Sequence, residues 1–261
     1  MVQLAVVLAL CKIPRNRLRA SSVALTSSKF RSKAIVRTFV MPRLLAQRHN
    51  PWLVLLCLCL ALVAALAAPD LDKMQALALQ RYAAKGADTV GAWRKLMDEV
   101  RTLPDADKLA KVNTFFNRRI AYKIDQEVWS QEDYWATPLE FMGVGAGDCE
   151  DFAIAKYITL QLVGVDNTHL RLIYVRYKNG ATAPVAHMVL GYFAQPTEEP
   201  MILDNMITSV RTASQRPDLA PVFSFNSDGL WASGAATSSA DPTARLSRWR
   251  DVLERMRQDG I

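Results

Sequence analysis

Three side chains suited to nucleophilic attack on a carbonyl occur in this 261-residue sequence in a telling order: Cys149, His187 and Asp204. Cys149 closes the glycine-rich stretch Gly143-Val-Gly-Ala-Gly-Asp-Cys-Glu-Asp-Phe152, which runs into the apolar segment Ala153–Val163. Asp148 is a good N-cap residue, and Glu150 and Asp151 suit the positive end of a helix dipole, so a helix is expected to begin at the cysteine. A thiol at a helix N-terminus stands where its pKa can be lowered. The three glycines are expected to form a tight loop that leaves the thiol open to substrate. His187 lies in the apolar run Pro184-Val-Ala-His-Met-Val-Leu190, where an unsatisfied imidazole would cost about 1–3 kcal/mol. A strand histidine on its own is most often a satisfied core residue. Here Asp204 follows at the end of the next expected strand, so one imidazole could reach both a thiol and a carboxylate. In such a set the imidazole takes the thiol proton, and the carboxylate fixes the tautomer and steadies the imidazolium.

The elements that must position these groups are legible from periodicity. Three amphipathic helices are expected over Leu71–Lys85, Asp88–Leu103 and Asp105–Ile120, the second ended by Pro104. Ala121–Pro138 is rich in aromatics and acids without clear period and reads as a long loop before a short segment, Pro138–Met142. After the nucleophile helix the pattern turns to strands, over His169–Tyr177, Val185–Phe193, Met201–Asp204 and Pro221–Asn226. Ser233–Thr243 reads as a loop and Leu246–Arg257 as a terminal helix. The fold class is therefore α+β: N-terminal helices, then a nucleophile helix packed on an antiparallel sheet.

Charge and cysteine usage divide the chain. The net charge is +7, with 32 Lys and Arg against 25 Asp and Glu. Residues 1–69 hold ten of the basic residues and no acid, which leaves 22 against 25 for residues 70–261, a balance of −3. With no basic stripe in this slightly acidic remainder, nucleic-acid binding is excluded. Pro51–Ala68 is an apolar run preceded by Arg43 and Arg48 and closed by Ala65-Leu66-Ala67, the pattern of a secretory signal peptide. Residues 41–68 are accordingly expected to be a signal peptide, or failing that an N-terminal anchor. Residues 1–40 are expected to be an upstream extension ahead of a true start at Met41, and 69–261 the mature domain. Cys11, Cys57 and Cys59 fall outside that domain, leaving Cys149 as a lone free thiol.

At Gly147-Asp-Cys-Glu-Asp-Phe-Ala153, Ala186-His-Met-Val-Leu190 and Leu203-Asp-Asn205 the chain resembles the bacterial transglutaminase-like cysteine peptidases, the LapG-type periplasmic proteases. The resemblance extends over roughly Trp93 to Phe225. It implies a papain/transglutaminase-like core with Cys149 as nucleophile, His187 as general base and Asp204 as its orienter. It also implies dependence on Ca²⁺, held by Asp148 and Glu150 and more weakly by Asp151. The substrate so implied is a large cell-surface adhesin, cut near its N-terminus to control attachment and biofilm. The implied regulatory partner is an inner-membrane receptor for cyclic di-GMP that sequesters the protease, and the implied compartment is the periplasm.

Two further readings complete the expected site. Carboxylates on both sides of a thiol favour its neutral form, and a cation taking up Asp148 and Glu150 would reverse that local field. Calcium requires 6–8 oxygens, so backbone carbonyls, water and Asp125 or Asp133 must add to those two. The oxyanion hole is expected to combine the Cys149 N–H with one donor from the aromatic loop, for which the indole N–H of Trp135 is the candidate. Glu140 is a candidate supporting partner. Protein acyl transfer on the same triad, as in transglutaminases, and a non-catalytic calcium-binding adaptor are the alternative functional classes.

Overall fold

A computed structural model of the protein describes residues 69–178, 180, 183–235 and 237–261. The expected extension, the expected signal segment and Cys11, Cys57 and Cys59 lie outside the described residues. Among the described residues no helix is long and apolar enough to cross a membrane.

The first helix, α1 (Leu71–Val100), begins at Asp70, whose carboxylate takes the Lys73 N–H at 2.9 Å. Two helices were expected here. They run on as one element broken at Ala83, whose φ of 54° lies in the left-handed region. The break tilts the second half so that Val90, Trp93, Met97 and Val100 share one fully buried stripe. Next come α2 (Asp105–Arg119), the two-residue strand β1 (Ala121–Tyr122) and a single helical turn α3 (Asp125–Val128). The stretch read as a long loop thus contains two short elements, which lack the length to show a period. Helix α4 (Pro138–Val144) starts in a capping box between Thr137 and Glu140, with Pro138 in its first turn. Strand β2 (Ala146–Gly147) then pairs in parallel with β1, and the nucleophile helix α5 spans Cys149–Leu162.

Strands β3 (Leu170–Tyr177), β4 (Val185–Tyr192), β5 (Met201–Leu203), β6 (Arg211–Thr212), β7 (Leu219–Phe225) and β8 (Leu230–Ala232) form one antiparallel sheet in the order β6-β5-β4-β3-β7-β8. The expected meander holds for β3, β4 and β5, and β7 returns to the far side of β3. Alternation assigns Leu170, Leu172, Met188, Leu190 and Leu203 to the face against α5, and Ile173, Val175, Val189 and Ile202 to the other. Helices α6 (Pro242–Arg245) and α7 (Ser247–Asp259) follow, with Trp249, Val252 and Met256 buried in the same core. The ends of the domain meet where the Asp70 N–H donates to the Gly260 carbonyl at 2.7 Å.

The glycines before the cysteine serve a purpose other than the one expected. Only Gly145 has a positive φ, at 77°, where it terminates α4 in the left-handed conformation. Gly143 and Gly147 are sites of close approach. A Cβ on Gly143 would lie 2.2 Å from the Tyr82 ring, and one on Gly147 would lie 2.4 Å from an Asp151 oxygen and 2.7 Å from Phe141. Gly147→Ala is therefore expected to destabilise the domain by about 1–3 kcal/mol through overpacking, read as a fall in the urea midpoint. An unchanged midpoint would show that Phe141 and Asp151 can retreat.

Candidate active site

Strand β5 pairs with β4 only across Leu190–Tyr192. Among the described residues the remainder of that edge of β4, Val185–Val189, has no strand beside it, and α5 packs against β4. The Met188 N–H lies within hydrogen-bonding reach of the Cys149 sulfur and favours the thiolate. His187, the neighbour of Met188, is 3% exposed, and its Nε2 lies 2.9 Å from Asp204 Oδ1. Because Nε2 is taken up by the carboxylate, Nδ1 is the nitrogen free to exchange a proton. Asp204 is 1% exposed just past the end of β5, and its Oδ1 also accepts the Met206 N–H at 3.1 Å. The structure thus pairs His187 with Asp204, and sets Cys149 at the start of α5 near Met188, the next residue of β4.

Sequence reasoning missed the group behind this pair. Arg216 is 5% exposed, and its Nη2 stands 2.7 Å from Asp204 Oδ2. Its Nε and Nη2 also hold Asp218 in a two-pronged bond at 3.0 and 2.7 Å. Burial works to raise the Asp204 pKa, but His187, the Met206 N–H and Arg216 overcome it and hold the carboxyl at about 2. Gln215-Arg-Pro-Asp218 reads as an ordinary surface turn, and no period or motif marks the arginine. Lys156 was a visible signal left unused. It is a charged residue in an otherwise apolar stretch, fully buried two turns beyond Cys149, with Nζ 5.5 Å from the Phe152 ring centroid and no hydrogen-bond partner among the described residues. Burial pulls its pKa down to about 7, opposed by the charge of Asp204.

On the other side of the thiol the acids crowd together. Cys149 donates to Glu150 Oε2 at 3.1 Å, and burial followed by the Glu150 charge pushes the thiol well above its ordinary range. Burial and then Glu150 raise Asp148 to about 9; burial above all raises Glu150 to about 7. Asp151 is fully buried and also raised, first by burial, although its oxygens accept the Ala136 N–H at 2.7 Å and the Asp148 N–H at 3.4 Å. Asp125, offered by the sequence only as a supplementary ligand, is 2% exposed and central. Its carboxylate oxygens come within 4.8 Å of those of Asp148 and Asp151 in one grouping, and of Asp133 and Glu150 in another. Oδ1 of Asp125 and Oδ1 of Asp148 are buried and have no hydrogen-bond partner among the described residues. An all-oxygen set with orphaned carboxylate atoms fits a hard divalent cation such as Ca²⁺.

Trp135 does not present a free indole N–H. The Nε1 proton goes to Asp133 Oδ1 at 3.1 Å, and the ring stacks on Phe225 with centroids 5.9 Å apart. The expected oxyanion donor is thereby already engaged, and the aromatic acts as packing. Trp135→Phe should reduce cleavage by far less than the roughly 10²–10³-fold that follows loss of an oxyanion donor, as measured by kcat on a peptide substrate. Glu140 supports this loop from behind the site. It accepts the Tyr134 hydroxyl at 2.9 Å and pairs with Arg255, which also binds the Trp135 carbonyl at 2.5 Å.

Comparison with known proteins places this geometry. The model of the bacterial transglutaminase-like cysteine proteinase family matches residues 80–218. Legionella pneumophila LapG, solved after EGTA treatment, is 41% identical, with a TM-score of 0.64 over 72% of this chain and all of that one. A calcium-bound structure of the same protein is 41% identical with a TM-score of 0.61, covering 72% of this chain and 99% of its own. No curated protein sequence matches. The chain belongs to the bacterial transglutaminase-like cysteine proteinases and is a cysteine peptidase of the LapG type, with that family's α+β fold.

Proposed function

We propose that this peptidase is an exported, calcium-dependent endopeptidase that cuts a large cell-surface adhesin near its N-terminus through Cys149, His187 and Asp204. The observation that supports the reading is the buried His187–Asp204 pair, with Cys149 at the start of α5 near the backbone of Met188, the next residue along β4. His187 Nδ1 takes the Cys149 proton, and the thiolate attacks the scissile carbonyl. The imidazolium, steadied by Asp204, then protonates the leaving amine, and water activated by the neutral imidazole releases the acyl group from sulfur. The Cys149 N–H, at the first turn of α5, is positioned to receive the developing oxyanion.

Asp125, Asp148 and Glu150 would hold Ca²⁺, with Asp151 fastening the loop through its two backbone N–H bonds. Calcium when bound would supply positive charge beside the thiol and order to the Asp148–Glu150 turn. Removal of the ion by EGTA is expected to abolish cleavage and lower Tm, both restored by excess Ca²⁺. Asp125→Asn should move the calcium midpoint of either signal upward by about tenfold or more, since ligand charge sets affinity. A midpoint that stays put would remove Asp125 from the ligand set. Adhesin cleavage in the periplasm would release cells from a surface, and an inner-membrane receptor that senses cyclic di-GMP would restrain the enzyme. The deciding experiment is incubation of the purified protein with the N-terminal fragment of a candidate adhesin, in Ca²⁺, in EGTA and with Cys149→Ala. Cleavage lost in both controls supports the reading. Incorporation of an amine into a glutamine substrate without cleavage would instead assign acyl transfer.

A further inference from the structure

The face of the sheet turned away from α5 encloses a cavity of about 380 Å³, within the range of small-molecule sites. Its floor follows from strand alternation. Val189, Ile173 and Ser224 stand opposite one another across β4, β3 and β7, and Trp231 of β8 continues the row just beyond the lining. The next row toward β5 brings Arg171 beside Gly191 and Ile202. Gly191 keeps that row open: a Cβ there would lie 2.6 Å from Ile173 and 3.2 Å from Phe193.

Apolar side chains dominate the lining, with Thr197, Ser224 and Ser233 among them, and two guanidiniums in it are buried. Arg171, 6% exposed, lies between two aromatic rings, with Cζ 4.2 Å from the Trp231 centroid and 4.6 Å from that of Phe193. Its Nε has no hydrogen-bond partner among the described residues, and burial works to lower its pKa. Arginine cannot escape by losing its proton, so a full positive charge faces an apolar chamber. Arg216 lines the same chamber, and its Nη1 is likewise without a hydrogen-bond partner among the described residues, although two carboxylates, Asp204 and Asp218, already outweigh its single charge. Glu198 stands on the exposed rim. A guanidinium at Arg171 that is in no ion pair among the described residues, spare guanidinium protons and a largely apolar wall of this volume suit a ligand with a single carboxylate on a medium-length hydrocarbon. We propose that the cavity is a binding site for such an amphipathic carboxylate, its acid on Arg171 and its chain over Ile173, Val189 and Ile202.

Trp231 provides the readout. Decanoate, below its micelle-forming concentration, is titrated into the purified protein, with 1-decanol and decyltrimethylammonium as neutral and cationic probes of the same tail. The expected result is a saturable fluorescence change with decanoate that is absent in Trp231→Phe, and an affinity about tenfold or more above that for decanol, as one charge-assisted anchor would give. Arg171→Met should bring decanoate down to the level of decanol. Ser224→Phe, which fills the row between Ile173 and Trp231 and leaves both arginines in place, should weaken decanoate about tenfold or more. If Arg171→Met does not fold, Ser224→Phe decides. Equal affinity for decanoate and decanol, no saturable binding by fluorescence or calorimetry, or unchanged binding in a folded Arg171→Met or in Ser224→Phe would overturn the site.

Discussion

Cys149→Ala should lower kcat/KM for peptide cleavage by about 10⁴-fold or more while leaving the thermal midpoint close to that of the parent. The activity loss follows because no other thiol occurs in residues 69–261. The midpoint is spared because the side chain is small and partly exposed, and its hydrogen bond to Glu150 is worth about 1 kcal/mol at most. His187→Ala should lose nearly as much activity, and the double substitution no more than either alone, since the two act as a unit. Asp204→Asn is the sharper test of geometry. The carboxylate accepts from Nε2–H; an asparagine that turned its amide toward the ring would instead donate to Nε2 and place the proton on Nδ1. That is the nitrogen that must take the thiol proton, so a fall of about 10⁴-fold is expected with the fold intact. Retention of cleavage by Asp204→Asn would mean that the pair is a structural lock.

How much of this could be read from the chain depends on the range of the forces involved. The elements that carry Cys149, His187 and Asp204 were legible because local patterns fix them: a helix start, an alternating strand and a strand end. The order of strands beyond β5 was not, because β7 pairs with β3 across more than 40 residues and no local pattern encodes that return. The glycines show a related failure. Gly143 and Gly147 read as turn formers, yet they are small because Tyr82 and Asp151 pack against them, and a close approach leaves no trace in local spacing. The indole of Trp135 was assigned to the oxyanion by chemistry alone, while Asp133, two residues away, takes its proton. Asp125 lies in one helical turn, too short for periodicity, and only folding brings it beside Asp148 and Glu150. Arg216 was invisible for the same reason.

Arg216→Met carries the second large effect, on stability and activity together. The substitution nearly preserves volume but strips Asp204 of its ion pair in a setting where that carboxylate is 1% exposed. An unpaired buried charge of this kind costs about 3–5 kcal/mol, enough to remove a large part of the stability of a domain this size. The pH dependence distinguishes this from simple loss of packing. In the parent protein the Asp204 carboxyl is held at about 2, below its unfolded value near 4, so its contribution is present above about pH 4 and is lost as pH falls toward 2. Without Arg216 the folded pKa rises, since the burial that opposes ionisation remains while one of the groups favouring it is gone. The acid limb of the stability curve, and of kcat/KM, should therefore move to higher pH in Arg216→Met. A protonated Asp204 no longer steadies the imidazolium, so the two limbs should move together. Arg216→Lys should recover part of both, because an ammonium can face Asp204 but cannot hold Asp218 with the same planar fork. Loss of stability in Arg216→Met with an acid limb that stays in place would assign the arginine to packing of β6 and β7 and leave His187 and the Met206 N–H as the partners that set the charge of Asp204.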